Sequence, residues 1–200
     1  EAGLKIGEAK GIFVNEDLQT SNPDIYAVGD AIEFENPITN KSTNTYLAGP
    51  ANKQGRICAN NIVNGNTTKY LGAINTAIVK LFDLTVGSTG MAAKHLKAQN
   101  IPFIVSTTRS ASHATYYPDA KQITIQIVFS PTTKQLLGAQ VIGEDGADKR
   151  LDILATLVKN KATIYDLMEV EHAYAPPYSS AKDPVNMAGF VADNLVNKLL

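Results

Sequence analysis

Two kinds of periodicity run along this chain. From Gln122 to Phe129 the period is two: Ile123, Ile125, Ile127 and Phe129 point one way, with Thr124 and Gln126 between them. That spacing predicts a half-buried antiparallel strand. Ser130-Pro131-Thr132-Thr133 turns the chain into a second strand, Leu136 to Ile142, completing a hairpin. Ile74 to Phe82 and Phe103 to Thr108 read as further strands, and LTVGSTG (Leu84 to Gly90) as a turn or short strand. Helical spacing takes over between and after them. Met91 to Gln99 sets Ala92, His95, Leu96 and Gln99 on one face and stops at Asn100. Ala147, Leu151, Leu154, Ala155 and Val158 line a helix from Asp145 to Asn160. A short helix, Ile164 to Met168, precedes the loop VEHAYAPPYS, and a last helix runs from Pro184 to Leu199. Strands joined by hairpins, with helices after them, predict an α+β unit with flanking helices on an antiparallel sheet.

The first third is patterned differently. Residues 1–19 read as a connector leading into a small strand, Gly11-Ile12-Phe13-Val14. In TSNPDIYAVGD (Thr20 to Asp30), Pro23 fixes φ and pushes Asn22 into extended geometry. Ile25 to Val28 has the length and branching of a short buried strand, and Gly29 lets the backbone bend or a ligand approach. Asp30 then puts a carboxylate at the end of that strand, where open α/β sheets bind ligands. Residues 31–46, with Asn36-Pro37 and a Thr/Asn-rich stretch around Lys41, predict a loop or hairpin. A helix follows from Pro50-Ala51 to Asn64, with Gly55, Cys58, Ala59 and Ile62 on one face and Asn64-Gly65-Asn66 as its stop. Its start at Pro50-Ala51 is expected to present unpaired N–H groups and a positive dipole end. The composition shifts around Tyr70-Leu71-Gly72, so two domains are expected, residues 1–70 and 71–200.

Composition narrows the classes. With 44% hydrophobic and 18% charged residues the chain can bury a core. A net charge of −1 without a basic run favours neither nucleic acid nor an anionic membrane surface. No apolar stretch is long enough to span a bilayer, and Glu1-Ala2-Gly3 does not open a signal peptide. One cysteine rules out an internal disulfide and fits a reducing, cytoplasmic setting. Cys58 lies on the apolar face, well past the helix start, and reads as a structural thiol. No metal site, internal repeat or low-complexity tract is expected. The first residue is not Met, which suggests a processed or truncated chain.

The pattern T-x-x-P-x-I-Y-A-x-G-D at Thr20 to Asp30 resembles the second flavin-binding motif of the FAD-dependent pyridine nucleotide-disulfide reductases. The resemblance implies that Asp30, after Gly29, accepts a hydrogen bond from a ribityl hydroxyl of FAD. LAGPANKQGR (Leu47 to Arg56) is similar to the family helix whose N-terminus faces the pyrimidine side of the flavin, which puts a backbone contact at Ala51. Asn52 stands where relatives acting on coenzyme A disulfides touch substrate. On this resemblance residues 1–70 are the C-terminal segment of an FAD-binding α/β domain, and residues 71–200 the interface domain that forms a homodimer. None of the 14 glycines forms G-x-G-x-x-G, and the family's redox cysteine lies upstream of this chain. Alone, the chain is therefore expected to be inactive.

The tail separates the branches. Glutathione-reductase-like members carry H-x-H-P-T-x-x-E, with a His-Glu acid-base pair. This chain has His172-Ala173-Tyr174-Ala175-Pro176 with no Glu at that spacing, and the lone His172 reads as a surface residue. YAPPYSSAKDPVN is similar instead to the coenzyme A-disulfide reductase branch, including forms fused to a rhodanese domain. That resemblance implies Tyr174, and Tyr116 in HATYYPDA, as catalytic hydrogen-bond donors reaching the active site of the opposite subunit. Lys182 offers an ammonium for a phosphate. Tyr117 and Tyr178 are equally aromatic alternatives. The implied activity passes electrons from NAD(P)H through FAD and a cysteine to coenzyme A disulfide or a similar small disulfide. Two alternatives stand beside it: an NADH oxidase or peroxidase relative, and a piece that serves only as a dimerisation module.

Overall fold

The structure is a computed structural model that describes residues 2–199. It divides into two compact units between Asn75 and Thr76. The sequence placed the change at residues 70 and 71. Tyr70 is 4% exposed in the core of the first unit, and Gly72 lies so close to the Glu35 carbonyl that a Cβ would sit 2.7 Å from its oxygen. The linker to Asn75 thus stays with the first unit.

The first unit is a small three-stranded sheet and one long helix. Strand β1 (Ile12–Phe13) pairs in parallel with β2 (Ile32–Glu35), and β2 pairs antiparallel with β3 (Ser42–Thr43), the hairpin expected for residues 31–46. Val14, Leu18, Ile32, Phe34, Ile57 and Tyr70 form the core, with Cys58 half-buried against it. Burial pushes the Cys58 thiol pKa up, which keeps it protonated and unreactive. Glu33 is buried in β2 as a structural acceptor: its carboxylate takes the N–H of Ala9 at 2.8 Å and the hydroxyl of Ser42 at 3.2 Å.

Ile25 to Val28 is not a buried strand. Tyr26 makes a single bridge to Gln19, Ile25 to Ala27 are half-buried, and Val28 is exposed. Pro23 has no N–H to continue a ladder, and Gly29, at φ 75°, turns the chain away at the other end. Helix α1 (Ala48–Asn64) starts at Ala48 rather than Pro50. Its inward side chains are Gln54, Ile57 and Asn61, while Gly55 and Ala59 are exposed and Ile62 is 60% exposed. The apolar face expected for this helix is wrong because two of its three inward positions are amides. Asn61 shows why an amide suits: its Nδ2 donates to the Asp17 and Thr68 carbonyls and its Oδ1 accepts from the Thr68 N–H.

The second unit is the expected α+β arrangement. Strands β4 (Ala77–Leu81), β5 (Leu84–Gly90), β6 (Ile104–Ala111), β7 (Gln122–Phe129) and β8 (Leu136–Gly143) form one antiparallel sheet in the order β4-β5-β8-β7-β6. LTVGSTG is a full strand, its glycines admitting neighbours: a Cβ on Gly87 would lie 2.5 Å from a Leu151 methyl. Ile123, Ile125, Ile127 and Phe129 are at most 1% exposed, as their alternation requires. After α2 (Ala93–Ala98), helix α3 (Ala147–Lys159) packs on β5 and β8; α4 (Ile164–Glu169) and α5 (Pro184–Leu199) pack together, and α5 lies on β6 and β7.

A charged pair sits inside this apolar packing. Arg150 of α3 has no solvent exposure, and its Nη2 meets Asp183 Oδ2 at 2.8 Å. Nη2 also donates to the Ser112 carbonyl at 2.7 Å, and Nη1 to the Gly146 carbonyl at 3.0 Å. Asp183 accepts further from Ser179 Oγ at 2.5 Å and caps α5 through the Val185 N–H at 3.0 Å. Burial alone raises the Asp183 pKa, but hydrogen bonds from Arg150, Ser179 and Val185 outweigh it and hold the carboxyl below its ordinary value.

Truncation of Arg150 leaves that carboxylate buried and uncompensated. Arg150→Ala is expected to cost roughly 3–5 kcal/mol in urea unfolding of this chain, and Arg150→Ala with Asp183→Asn to recover part of it. The Asp183 pKa is depressed in the folded state, so its contribution is present above the unfolded value near ~3.9 and lost as pH falls through the folded one. Unfolding midpoints measured across acidic pH check both.

Candidate functional site

The first unit presents a turn and a helix start. Gly29 donates its N–H to Gln54 Oε1 at 2.7 Å, and Asp30 follows within a single 3-10 turn, Gly29–Ala31, its side chain exposed. Nothing lies within 4 Å of where a Gly29 Cβ would be, so the turn is open on that side. At the start of α1 no side chain caps the helix. The Ala51 N–H already donates to the Leu47 carbonyl at 3.1 Å, so the expectation of an unpaired donor at Ala51 is corrected. Because the helix begins earlier, the orphan donors of its first turn are Ala48 and Gly49, while Pro50 has none. Asn52 is exposed on the next turn.

The second unit brings two of the singled-out tyrosines together. Tyr116 Oη and Tyr174 Oη are 3.2 Å apart, a hydrogen bond between hydroxyls 76% and 49% exposed at the residue level. The Tyr116 loop is closed by the Ser112 N–H to the Lys121 carbonyl at 2.8 Å and the Lys121 N–H to Ser112 Oγ at 3.1 Å. It is pinned to the Tyr174 segment by the Ala114 N–H donating to the Ser179 carbonyl at 2.9 Å. His113 stiffens the loop: its Nε2 lies 2.9 Å from the Pro118 carbonyl, and its Nδ1 3.1 Å from Ser112 Oγ and 3.4 Å from Asp145 Oδ2. Tyr117 packs edge-on against His113 and Tyr178 points into solvent, so neither joins the pair. An open groove of about 680 Å³ runs beside Tyr116, lined also by Arg109 and Lys121. Lys182 is exposed, its side chain uncommitted and its backbone carbonyl held by Ser180 Oγ at 2.6 Å.

His172 departs from expectation. Its side chain is 9% exposed, with Nδ1 3.9 Å from Asp183 Oδ1 and Nε2 buried without a partner. Burial lowers its pKa, Asp183 opposes that, and Arg150 and Lys149 add to it, so the imidazole is held neutral. It packs beside Asp183 rather than on the surface. The supporting residues that sequence reasoning missed are Arg150, Asp183 and Gln54. The available signals were a cation within the apolar stripe of α3 and an Asp before Pro at a helix start. Among the described residues no group of three or more His, Cys, Asp or Glu could hold a metal ion, and no helix is long and apolar enough to cross a membrane.

Residues 76–184 match the pyridine nucleotide-disulphide oxidoreductase dimerisation domain, and residues 1–55 the pyridine nucleotide-disulphide oxidoreductase domain. The chain belongs to this family. A coenzyme A disulfide reductase of Staphylococcus epidermidis is 36% identical over 90% of the chain and 41% of that protein. An NADH oxidase of Methanocaldococcus jannaschii is 34% identical over 100% of the chain and 43% of its own length. The solved structure of reduced Bacillus anthracis CoADR-RHD superposes with TM-score 0.95 at 47% identity, covering 100% of this chain and 36% of that one. The chain thus spans less than half the length of these curated relatives, 41% and 43%.

The contact between the phenols bears on the ionisation of Tyr116. The Tyr174 hydrogen bond raises the Tyr116 pKa, with burial and the Tyr174 charge acting in the same direction. An ultraviolet titration of the chain is expected to show two tyrosines ionising above the ordinary range near ~10, Tyr116 and the buried Tyr70. In Tyr174→Phe the Tyr116 component should move back down while that of Tyr70 stays. An unchanged profile would mean the hydroxyls do not meet in solution.

Proposed function

We propose that this chain is the C-terminal part of a longer FAD-dependent NAD(P)H:disulfide oxidoreductase, working as a cytoplasmic homodimer on coenzyme A disulfide or a related small disulfide. The observation that carries the reading is the hydrogen-bonded pair Tyr116–Tyr174, two exposed phenols with no acid-base His-Glu pair beside them. A phenol keeps its proton at neutral pH, so the pair donates hydrogen bonds without serving as a base. When a disulfide is attacked by a thiolate, negative charge develops on the departing sulfur, and a hydrogen-bond donor lowers the cost of that charge. Tyr174 donates to the sulfur, Tyr116 orients Tyr174, and Lys182 meets a phosphate of a coenzyme A half; Asn52, in the first unit, is proposed separately as a substrate contact.

The first unit fits a flavin by the chemistry of its donors and acceptors. Asp30 offers an exposed carboxylate to a ribityl hydroxyl, beside a turn left open at Gly29. The uncapped N–H groups of Ala48 and Gly49 suit the negative charge of the pyrimidine edge, the role expected at Ala51. Flavin bound there supplies the two-electron relay between nicotinamide and thiol. The dimer reading is supported by the β4–β5 hairpin, which leaves Ile78, Val79, Leu81 and Leu84 exposed around Phe82 at 97%. With no G-x-G-x-x-G turn for either pyrophosphate, the chain alone is proposed to be colourless and inactive.

A second reading, that of an NADH oxidase, is favoured by the M. jannaschii relative. The Tyr174→Phe variant of the full-length enzyme separates the two. On the disulfide reading, stopped-flow traces show flavin reduction by NAD(P)H near wild type and reoxidation by coenzyme A disulfide slowed about 10²–10⁴-fold. Full-speed disulfide reduction would pass the case to the oxidase. Mixing Tyr174→Phe with a redox-cysteine variant is expected to restore one of the heterodimer's two sites, since the tyrosine serves the opposite subunit.

A further inference from the structure

The turn that carries Asp30 and the helix whose start is uncapped come from separate stretches of the first unit, and one side chain joins them. Gln54 has no solvent exposure. Its amide has two chemically different ends, and both are used. Oε1 accepts the Gly29 N–H at 2.7 Å, and Nε2 donates to Tyr70 Oη at 2.9 Å. A backbone N–H can only donate, so the orientation of the amide is fixed by its partner. Tyr70 is 4% exposed and stands edge-on to Phe34, ring centroids 5.4 Å apart, in β2, the strand that directly follows the Asp30 turn. The relay Gly29–Gln54–Tyr70–Phe34 therefore closes a loop around Asp30.

Glycine needs such a partner. It adopts positive and negative φ about equally, so the 75° at Gly29 is not chosen by the residue itself. The bond to Gln54 selects it, and with it the direction of the next side chain. Gln54 also stands on the turn of α1 after Ala51, which ties the Asp30 carboxylate to the N–H groups of Ala48 and Gly49.

We infer that Gln54 is a positioning residue of the flavin site: its buried amide fixes the Asp30 carboxylate relative to the start of α1 without touching the flavin. The inference rests on the flavin reading above. It is tested in the full-length protein by stripping FAD and measuring its rebinding by fluorescence quenching, in wild type, Asp30→Ala, Gln54→Leu and the double variant. Asp30→Ala is expected to weaken FAD about ten- to a hundredfold and Gln54→Leu about tenfold. The double variant should be no weaker than Asp30→Ala by more than about twofold, because a residue acting through Asp30 has nothing left to position.

Effects that multiply would make Gln54 a general stabiliser and overturn the inference. So would tight binding by Gln54→Leu when Asp30→Ala is weak, with the flavin reading intact. Tight binding by Asp30→Ala itself overturns the flavin reading and this inference with it. If Gln54→Leu does not fold, Tyr70→Phe frees the other end of the amide and carries the same test. Its expected weakening is about threefold on wild type and none on Asp30→Ala; no weakening on wild type overturns the inference.

Discussion

A guanidinium inside a protein stays charged, so a buried arginine must find a partner for its charge and acceptors for its N–H groups. Arg150 finds them on three stretches of chain: the Ser112 carbonyl after β6, the Gly146 carbonyl before α3, and Ser179 and Asp183 before α5. The first and the last of these carry Tyr116 and Tyr174. Neither tyrosine is buried, and the segments that bring their hydroxyls to 3.2 Å share the acceptors of this buried charge. A pair of this kind adds little net stability over a well-packed apolar substitute. What it adds is direction, because the guanidinium fork accepts its partners only in plane.

The same device recurs without charge in the first unit. Gln54 and Asn61 point inward from α1 and spend both ends of their amides on backbone or hydroxyl partners. Glu33, a carboxylate rather than an amide, collects the N–H groups of residues 9 and 11 from β2. Hydrogen bonds of this sort contribute about 0.5–1.5 kcal/mol each, but leaving one partner alone costs more than making the bond returns. The geometry is accordingly narrow. A small sheet of two- and four-residue strands cannot define a turn as closely as these buried amides do.

Where the sequence was legible follows from this. Alternation at Ile123, Ile125, Ile127 and Phe129 named β7 residue for residue, since burial of one face is a local and apolar fact. Asp30, Tyr116 and Tyr174 were singled out through motif likeness alone; the contact between the two phenols was not foreseen, since fifty-eight positions separate them and no periodicity connects them. Helix α1 was given an apolar face because inward amides look like surface residues, and its start was drawn to Pro50 when Leu47 is the N-cap. His172 was taken for a surface loop residue although it is packed beside Asp183, because only the fold supplies that neighbour. Ile25 to Val28 had the composition of a strand but no partner long enough to pair with it.

Two phenols in contact have a property that one lacks. Each hydroxyl carries one proton and two lone pairs, so in a bonded pair one proton is consumed and the other stays free, whichever oxygen donates. The pair thus presents a single O–H outward in either arrangement, and the hydroxyl that has donated inward is the better acceptor. A histidine in the same place would present a donor or an acceptor according to pH near neutrality. Here the nearby imidazole, His172, is kept buried and neutral, out of that role. On the disulfide reading proposed above, a hydrogen bond from this pair lowers the cost of charge on a departing sulfur without ionising either phenol. The backbone bond from Ala114 to Ser179, which ties the two segments together, holds the donors of that hydrogen bond near one another although their side chains are exposed.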